Sequence, residues 1–306
     1  MEPYTRNGGI IGKTMDFDAT DFYQITQGWD VSTSTFVQSF SVSSQETIPT
    51  GVFLKYDGLK MYVIGADSDL VNEYTLSTAW DLSTATFSQS FSVSSQETGP
   101  SGIFFKPDGL KMYVIGTAGD DVNEYNLSVA WDVSTATFSQ NFSVATEETV
   151  PRDIYFSPDG IKMYITGTVG DDVNEYTLST AWDVSTATYV QNFSVSTQES
   201  VPLGIFFKSD GTKMYITGNA SDSINEYTLS TAWNLSTATF SQSVNIGSQE
   251  AFPRGVFFSS DGIKMYVTGS SGDDVNEYTL DSALINGNKK NSGIWDLQSV
   301  YNFRTL

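Results

Sequence analysis

Gly102-Ile103-Phe104-Phe105-Lys106-Pro107-Asp108-Gly109-Leu110-Lys111-Met112-Tyr113-Val114-Ile115 decides the fold. Ile103-Phe104-Phe105 is a short apolar, aromatic run of the kind that a buried strand carries. Lys106-Pro107-Asp108-Gly109 supplies a proline for the first corner of a turn and a glycine for a left-handed position. Lys111-Met112-Tyr113-Val114-Ile115 reads as a second strand. Outward from there, residues 116–120 make a loop and Val122-Asn123-Glu124-Tyr125-Asn126-Leu127 alternates as a third strand. A turn through Trp131-Asp132 leads to a fourth strand over residues 137–144. These strands are a, b, c and d in chain order.

The unit recurs. Trp29, Trp80, Trp131, Trp182 and Trp233 stand 51 residues apart (80 − 29 = 51), as do Tyr74, Tyr125, Tyr176, Tyr227 and Tyr278 of the V-N-E-Y motif. A fixed period without insertions means that each copy is one supersecondary unit packing on its neighbours. Four antiparallel strands in about 50 residues make one propeller blade. A solenoid would need atypical capping repeats at its ends. Here the ends are complementary instead. The first copy begins at Trp29 with only strand d, over residues 35–42, and the last, over residues 255–280, has a, b and c but no d. The expectation is an all-β, five-bladed propeller of four-stranded antiparallel blades, its ring closed when the N-terminal strand completes the last blade and leaves no free edge. The domains follow as an N-terminal attachment segment (1–28), the propeller (29–280) and a C-terminal attachment segment (281–306).

Composition removes several chemistries. With no cysteine and no histidine among 306 residues, thiol nucleophiles, imidazole bases, the usual zinc sites and disulfides are excluded. A formal net charge of -21 argues against nucleic acid or an anionic membrane as partner. No apolar run is long enough for a membrane span. The start, Met1-Glu2-Pro3-Tyr4-Thr5-Arg6-Asn7, lacks the apolar core of a signal peptide, so folding in a cytoplasm is expected.

The repeat Pro-x-Gly-x-x-Phe, Asp-Gly, Lys-Met-Tyr-Val/Ile resembles the propeller repeats of the WD40 and YVTN type over residues 29–280, which speaks for fold rather than activity. Antiparallel alternation puts the Asp-Gly a–b turns on the same face as the Trp-bearing c–d turns. The opposite face carries Asp69, Asp120, Asp171, Asp222 and Asp273 in the b–c loops and Glu46, Glu97, Glu148, Glu199 and Glu250 in the d–a loops. The glutamates read either as solvated acids and turn caps or as ligands of a calcium ion on the axis; no other cofactor is expected. Trp80, Trp131, Trp182 and Trp233 read either as inter-blade packing or as sugar-stacking platforms. Lys60, Lys111, Lys162, Lys213 and Lys264 are expected to pair with the V-N-E-Y glutamates. Just before strand a the copies differ, with Thr50, Ser101, Arg152, Leu203 and Arg254, preceded two positions earlier by Ile48, Gly99, Val150, Val201 and Phe252. Arg152, Phe252 and Arg254 are therefore candidates for contact with a partner that breaks the symmetry.

Outside the repeat lie Asn7-Gly8-Gly9-Ile10-Ile11-Gly12-Lys13-Thr14 and Ser292-Gly293-Ile294-Trp295-Asp296-Leu297-Gln298-Ser299-Val300-Tyr301. These ends, with the D-G-x-K-M-Y-V/I and A-W-D-V-S-T-A-T-F repeats, resemble structural proteins of tailed phages of marine bacteria. The resemblance implies a virion component, assembled in a host cytoplasm and held to other virion proteins through apolar and aromatic residues of its ends (Tyr4, Ile10, Ile11, Phe17, Trp295, Leu297, Tyr301). The resulting expectation is a non-enzymatic virion protein, in head decoration or in a tail or fibre contacting host glycans. A lectin-like propeller and a glycoside hydrolase are the alternatives. Hydrolysis needs two carboxylates in different environments, whereas the acids of the repeat come as equivalent rings.

Overall fold

The Asp-Gly turn and the Trp turn of each repeat build one corner together. Gly58 takes a left-handed backbone, and a Cβ there would lie 2.5 Å from the Trp80 ring. Only glycine lets the indole lie against this turn. Trp80 is itself left-handed, with φ 66°, a conformation that costs a non-glycine residue about 1–2 kcal/mol. Its N–H donates to the Gly58 carbonyl at 2.9 Å. Asp81 then caps the short 3-10 turn Leu82–Thr84 by accepting from the Ser83 N–H at 3.0 Å.

In this computed structural model, residues 28–280 are described, along with the short strands Ile25–Thr26 and Ala283–Leu284, which pair antiparallel. The expected assembly residues Tyr4, Ile10, Ile11, Phe17, Trp295, Leu297 and Tyr301 lie outside the described residues. Gln27–Asp281 forms one compact unit. It holds five four-stranded antiparallel sheets arranged as a propeller, with strand order a-b-c-d in each. Strands a are Pro49–Leu54, Pro100–Phe105, Pro151–Phe156, Pro202–Phe207 and Pro253–Phe258. The ring closes as expected: Ser34–Ser41 pairs with Asp274–Leu280, with Ser34 opposite Leu280 and Ser41 opposite Asp274.

Each joint between blades is locked by the V-N-E-Y glutamate. Glu73, buried, accepts from Lys60 Nζ at 2.5 Å, from Gln89 Nε2 at 2.9 Å, and from the Val133 N–H of the next blade at 3.3 Å. Lys60 Nζ and the Tyr62 hydroxyl both donate to the Trp131 carbonyl, each at 2.8 Å. The joint between last and first blades repeats this, Glu277 accepting from Lys264 at 2.6 Å and from the Leu82 N–H at 3.1 Å. A buried charge held by this many donors keeps its pairing energy. The lysine pairing read from the sequence is what the fold uses. Among the described residues no helix is long and apolar enough to cross a membrane.

Candidate active site at the axial mouth

Each innermost strand starts with a β-bulge. In the first blade Pro49 pairs with Gly65 and Gly51 with Ile64, so Thr50 is the extra residue. Ser101, Arg152 and Leu203 occupy the same place, and in the last blade the irregularity spans Arg254 and Gly255. A bulge releases a side chain from the ladder and re-aims it, here at the mouth of the axis. Thr50 and Ser101 spend their hydroxyls on stitching. Thr50 Oγ1 lies 3.2 Å from the Ile64 carbonyl and 3.1 Å from the Pro100 carbonyl of the next blade, and Ser101 does the same with Ile115 and Pro151. Arg152 and Arg254 break the pattern.

One residue deeper the copies have Gly51, Gly102, Asp153, Gly204 and Gly255. The inner strands crowd so closely here that a Cβ on Gly255 would lie 3.0 Å from the Gly51 Cα. Asp153 is the one residue of this ring with a side chain. Its carboxylate accepts from its neighbour's N–H, Ile154, at 2.9 Å and from the Ile205 N–H of the next blade at 2.9 Å. It is 8% exposed. Burial drives its pKa from 3.8 up to about 7, against the opposing pull of the two amides. Each carboxylate oxygen can accept twice, so both retain capacity.

Below Asp153 the axis is closed by Phe53, Phe104, Tyr155, Phe206 and Phe257. Neighbouring rings meet edge to face with centroids 5.1–5.5 Å apart. Tyr155 is the only hydroxylated member, and it donates to the Phe207 carbonyl at 2.9 Å. Between this ring and Asp153 there is room for about one water molecule. At the mouth the two arginines are half-buried. Burial lowers the proton affinity of Arg152, as does the charge of Arg254, while Glu148 opposes; burial also lowers that of Arg254, with Glu250 opposing. Arg254 Nε donates to Ser270 Oγ at 3.2 Å, whereas Arg152 Nε is buried without a partner. Phe252 stands at the rim, 49% exposed.

The glutamate ring acts as the turn caps that were expected, but buried rather than solvated. Glu46, Glu97, Glu148, Glu199 and Glu250 are buried, neither solvated nor gathered on the axis. Each clips its own d–a loop to the b–c loop. Glu97 accepts from the Gly99, Ala118 and Gly119 N–H groups at 2.7, 3.0 and 3.2 Å. Amides thus hold the carboxylates that the alternative reading gave to a calcium ion, with Glu250 Oε2 alone left without a partner, and among the described residues no group of three or more acidic side chains could hold a metal ion. The tryptophans are packed, not presented. Trp131 is 8% exposed and stacks on Phe105 and Phe53, with centroids at 5.6 and 6.2 Å; Trp182 is equally buried, and Trp80 and Trp233 are partly buried at the same corner. That geometry leaves no open stacking platform for a sugar. The structure therefore brings together Arg152 and Arg254 and adds Asp153, which is visible in the sequence only when the Gly51 column of the repeats is aligned.

The family described as "Lactonase, 7-bladed beta-propeller" matches residues 103–290, more than half of the chain. The chain belongs to the lactonase family. This lactonase-family chain closes its ring with five blades rather than the seven of the family description. Membership corrects the expectation of a non-enzymatic phage virion protein, and with it the expectation that the chain is no enzyme. The glutamate ring, counted with the others against catalysis, is a set of loop clips, and Asp153 is a buried carboxyl that stands outside the repeated acid rings. No curated protein matches the chain. Solved structures similar to it include a putative 6-phosphogluconolactonase from Bacteroides fragilis (16% identity, 69% of this chain and 59% of that one, TM-score 0.45). Two others are the Pseudomonas aeruginosa periplasmic gluconolactonase (16%, 65% and 55%, 0.44) and the Myceliophteria thermophila Cps50 (Swd1) β-propeller domain (8%, 81% and 99%, 0.48). The chain spans about three fifths of the length of the first solved structures it matches.

Proposed function

We propose that the chain is a lactone hydrolase whose reaction takes place at the axial mouth, on Asp153 with Arg152 and Arg254. The observation that carries this reading is the single carboxyl in the axial glycine column, buried so that its pKa rises to about 7, in a lactonase-family chain that carries arginines at the bulge positions of that blade and one other. A general base works best when its pKa lies near the working pH. Ionised Asp153 takes a proton from a water as the water oxygen attacks the lactone carbonyl carbon. The carbonyl oxygen becomes an oxyanion, and the guanidinium of Arg152, whose Nε has no protein partner, faces that developing charge. The ring C–O bond then breaks. Its oxygen takes the proton back from Asp153, leaving a hydroxy acid and the original carboxylate.

The test is acid release from a panel of γ- and δ-lactones, followed in a pH-stat, with wild type, Asp153→Asn and Arg152→Gln. The expected result is turnover by wild type, reduced by about 10²-fold or more in each variant, the scale set by losing a general base or an oxyanion donor. Turnover equal in wild type and Asp153→Asn would remove Asp153 from the chemistry. No turnover of any lactone would end the reading.

A further inference from the structure

We propose that the axial mouth is built for a lactone with an apolar substituent rather than a polyhydroxylated ring, an inference about substrate class that rests on the lactone reading above. The rim has one residue per blade, namely Ile48, Gly99, Val150, Val201 and Phe252, and four of these are apolar. Ile48 is 38% and Phe252 49% exposed, so two large apolar side chains face solvent beside a charged centre. One step inward, Leu203 fills the bulge position of the fourth blade. Two large apolar groups left open to water at the edge of a cleft gain by being covered.

The polar groups at the mouth point the same way. A site that selects a polyol offers fixed hydrogen-bonding partners for its hydroxyls, because those partners are what reject a substrate lacking them. Here the Thr50 and Ser101 hydroxyls are already committed to backbone carbonyls on two blades. Thr217 is likewise committed to the Arg254 carbonyl. Glu148 and Glu250 are held by loop amides. What remains for a ligand is two guanidinium groups, the spare acceptor capacity of Asp153 and of Glu250 Oε2, and an apolar rim. That set matches a molecule with its oxygen atoms at one end and hydrocarbon at the other.

The test uses binding, not turnover, so that it stands apart from the catalytic proposal. Calorimetric titration compares 4-hydroxynonanoate with gluconate, two hydroxy acids that share a carboxylate and differ in carrying an alkyl or a polyhydroxylated chain. Each buried methylene multiplies affinity about fourfold, so 4-hydroxynonanoate is expected to bind at least about tenfold more tightly. Phe252→Ser and Ile48→Ser, both at exposed positions that leave the core intact, should each shrink that preference, whereas Arg152→Gln should weaken both ligands together. Equal affinities, tighter gluconate, no binding of either acid, or a preference untouched by both rim variants would overturn the proposal. If no lactone is hydrolysed but the preference is found, the catalytic reading fails and only the apolar preference of the mouth stands.

Discussion

Replacing Asp153 by glycine, the residue that the other four blades carry at this position, should change how stability depends on pH. In the folded chain the Asp153 carboxyl has a pKa raised by burial from 3.8 to about 7. Between those values the folded protein keeps a proton that the unfolded chain gives up, so its stability must fall as pH rises through this window and level off above it. The whole effect is about 4 kcal/mol, and the larger part of it, about 3 kcal/mol, falls between about pH 5 and about pH 8. That working range keeps the chain above its isoelectric point near 4.1. The variant also leaves the Ile205 N–H without its acceptor, a cost of about 1–3 kcal/mol that does not vary with pH. The slope is therefore the readout rather than the offset. Denaturant unfolding of both proteins across this range gives the difference in free energy, and the other carboxylates cancel in it. The stability of wild type relative to Asp153→Gly should decline by about 3 kcal/mol from about pH 5 to about pH 8. Parallel curves would show that Asp153 is an ordinary, solvated aspartate.

Deleting residues 29–43 removes the strand Ser34–Ser41 and exposes Asp274–Leu280 as an edge, so the truncated protein should aggregate or lose thermal stability markedly; a monomeric, equally stable product in light scattering and calorimetry would contradict ring closure. Asn72 is buried with both amide atoms unpartnered, because Leu70 stands where Asp121 accepts from Asn123 at 2.6 Å in the next blade. Asn72→Leu should raise stability by about 1–2 kcal/mol while Asn123→Leu lowers it, and the same sign for both in urea melts would refute that account.

The ring was legible because its signals are local and repeated. Asp-Gly turns, alternating strands and an unmatched strand d at one end fix blade count and closure without any long-range inference. The roles of the acids were not legible. Glu97 and its copies look like surface carboxylates in sequence, and only the folded loop shows three amides converging on them. A sequence pattern records that an acid lies in a loop but not which way its side chain turns. Trp131 was ambiguous for the same reason, since its packing partner Phe53 belongs to another blade. Arg152 and Arg254 stood out because they depart from the repeat. Asp153 departs from it as strongly, but its meaning depends on how closely the inner strands approach, which follows from the narrow five-bladed ring.

The most direct measurement of the central claim is the pH dependence of kcat/KM for lactone opening, corrected for spontaneous hydrolysis, in wild type and Asp153→Asn. The Asp153 carboxyl acts only when ionised, so the wild-type profile should rise through an apparent pKa of about 7 and then level off. The rise should vanish in Asp153→Asn. A wild-type profile flat across this range, or an unchanged rise in the variant, would show that the axial carboxyl is not the base.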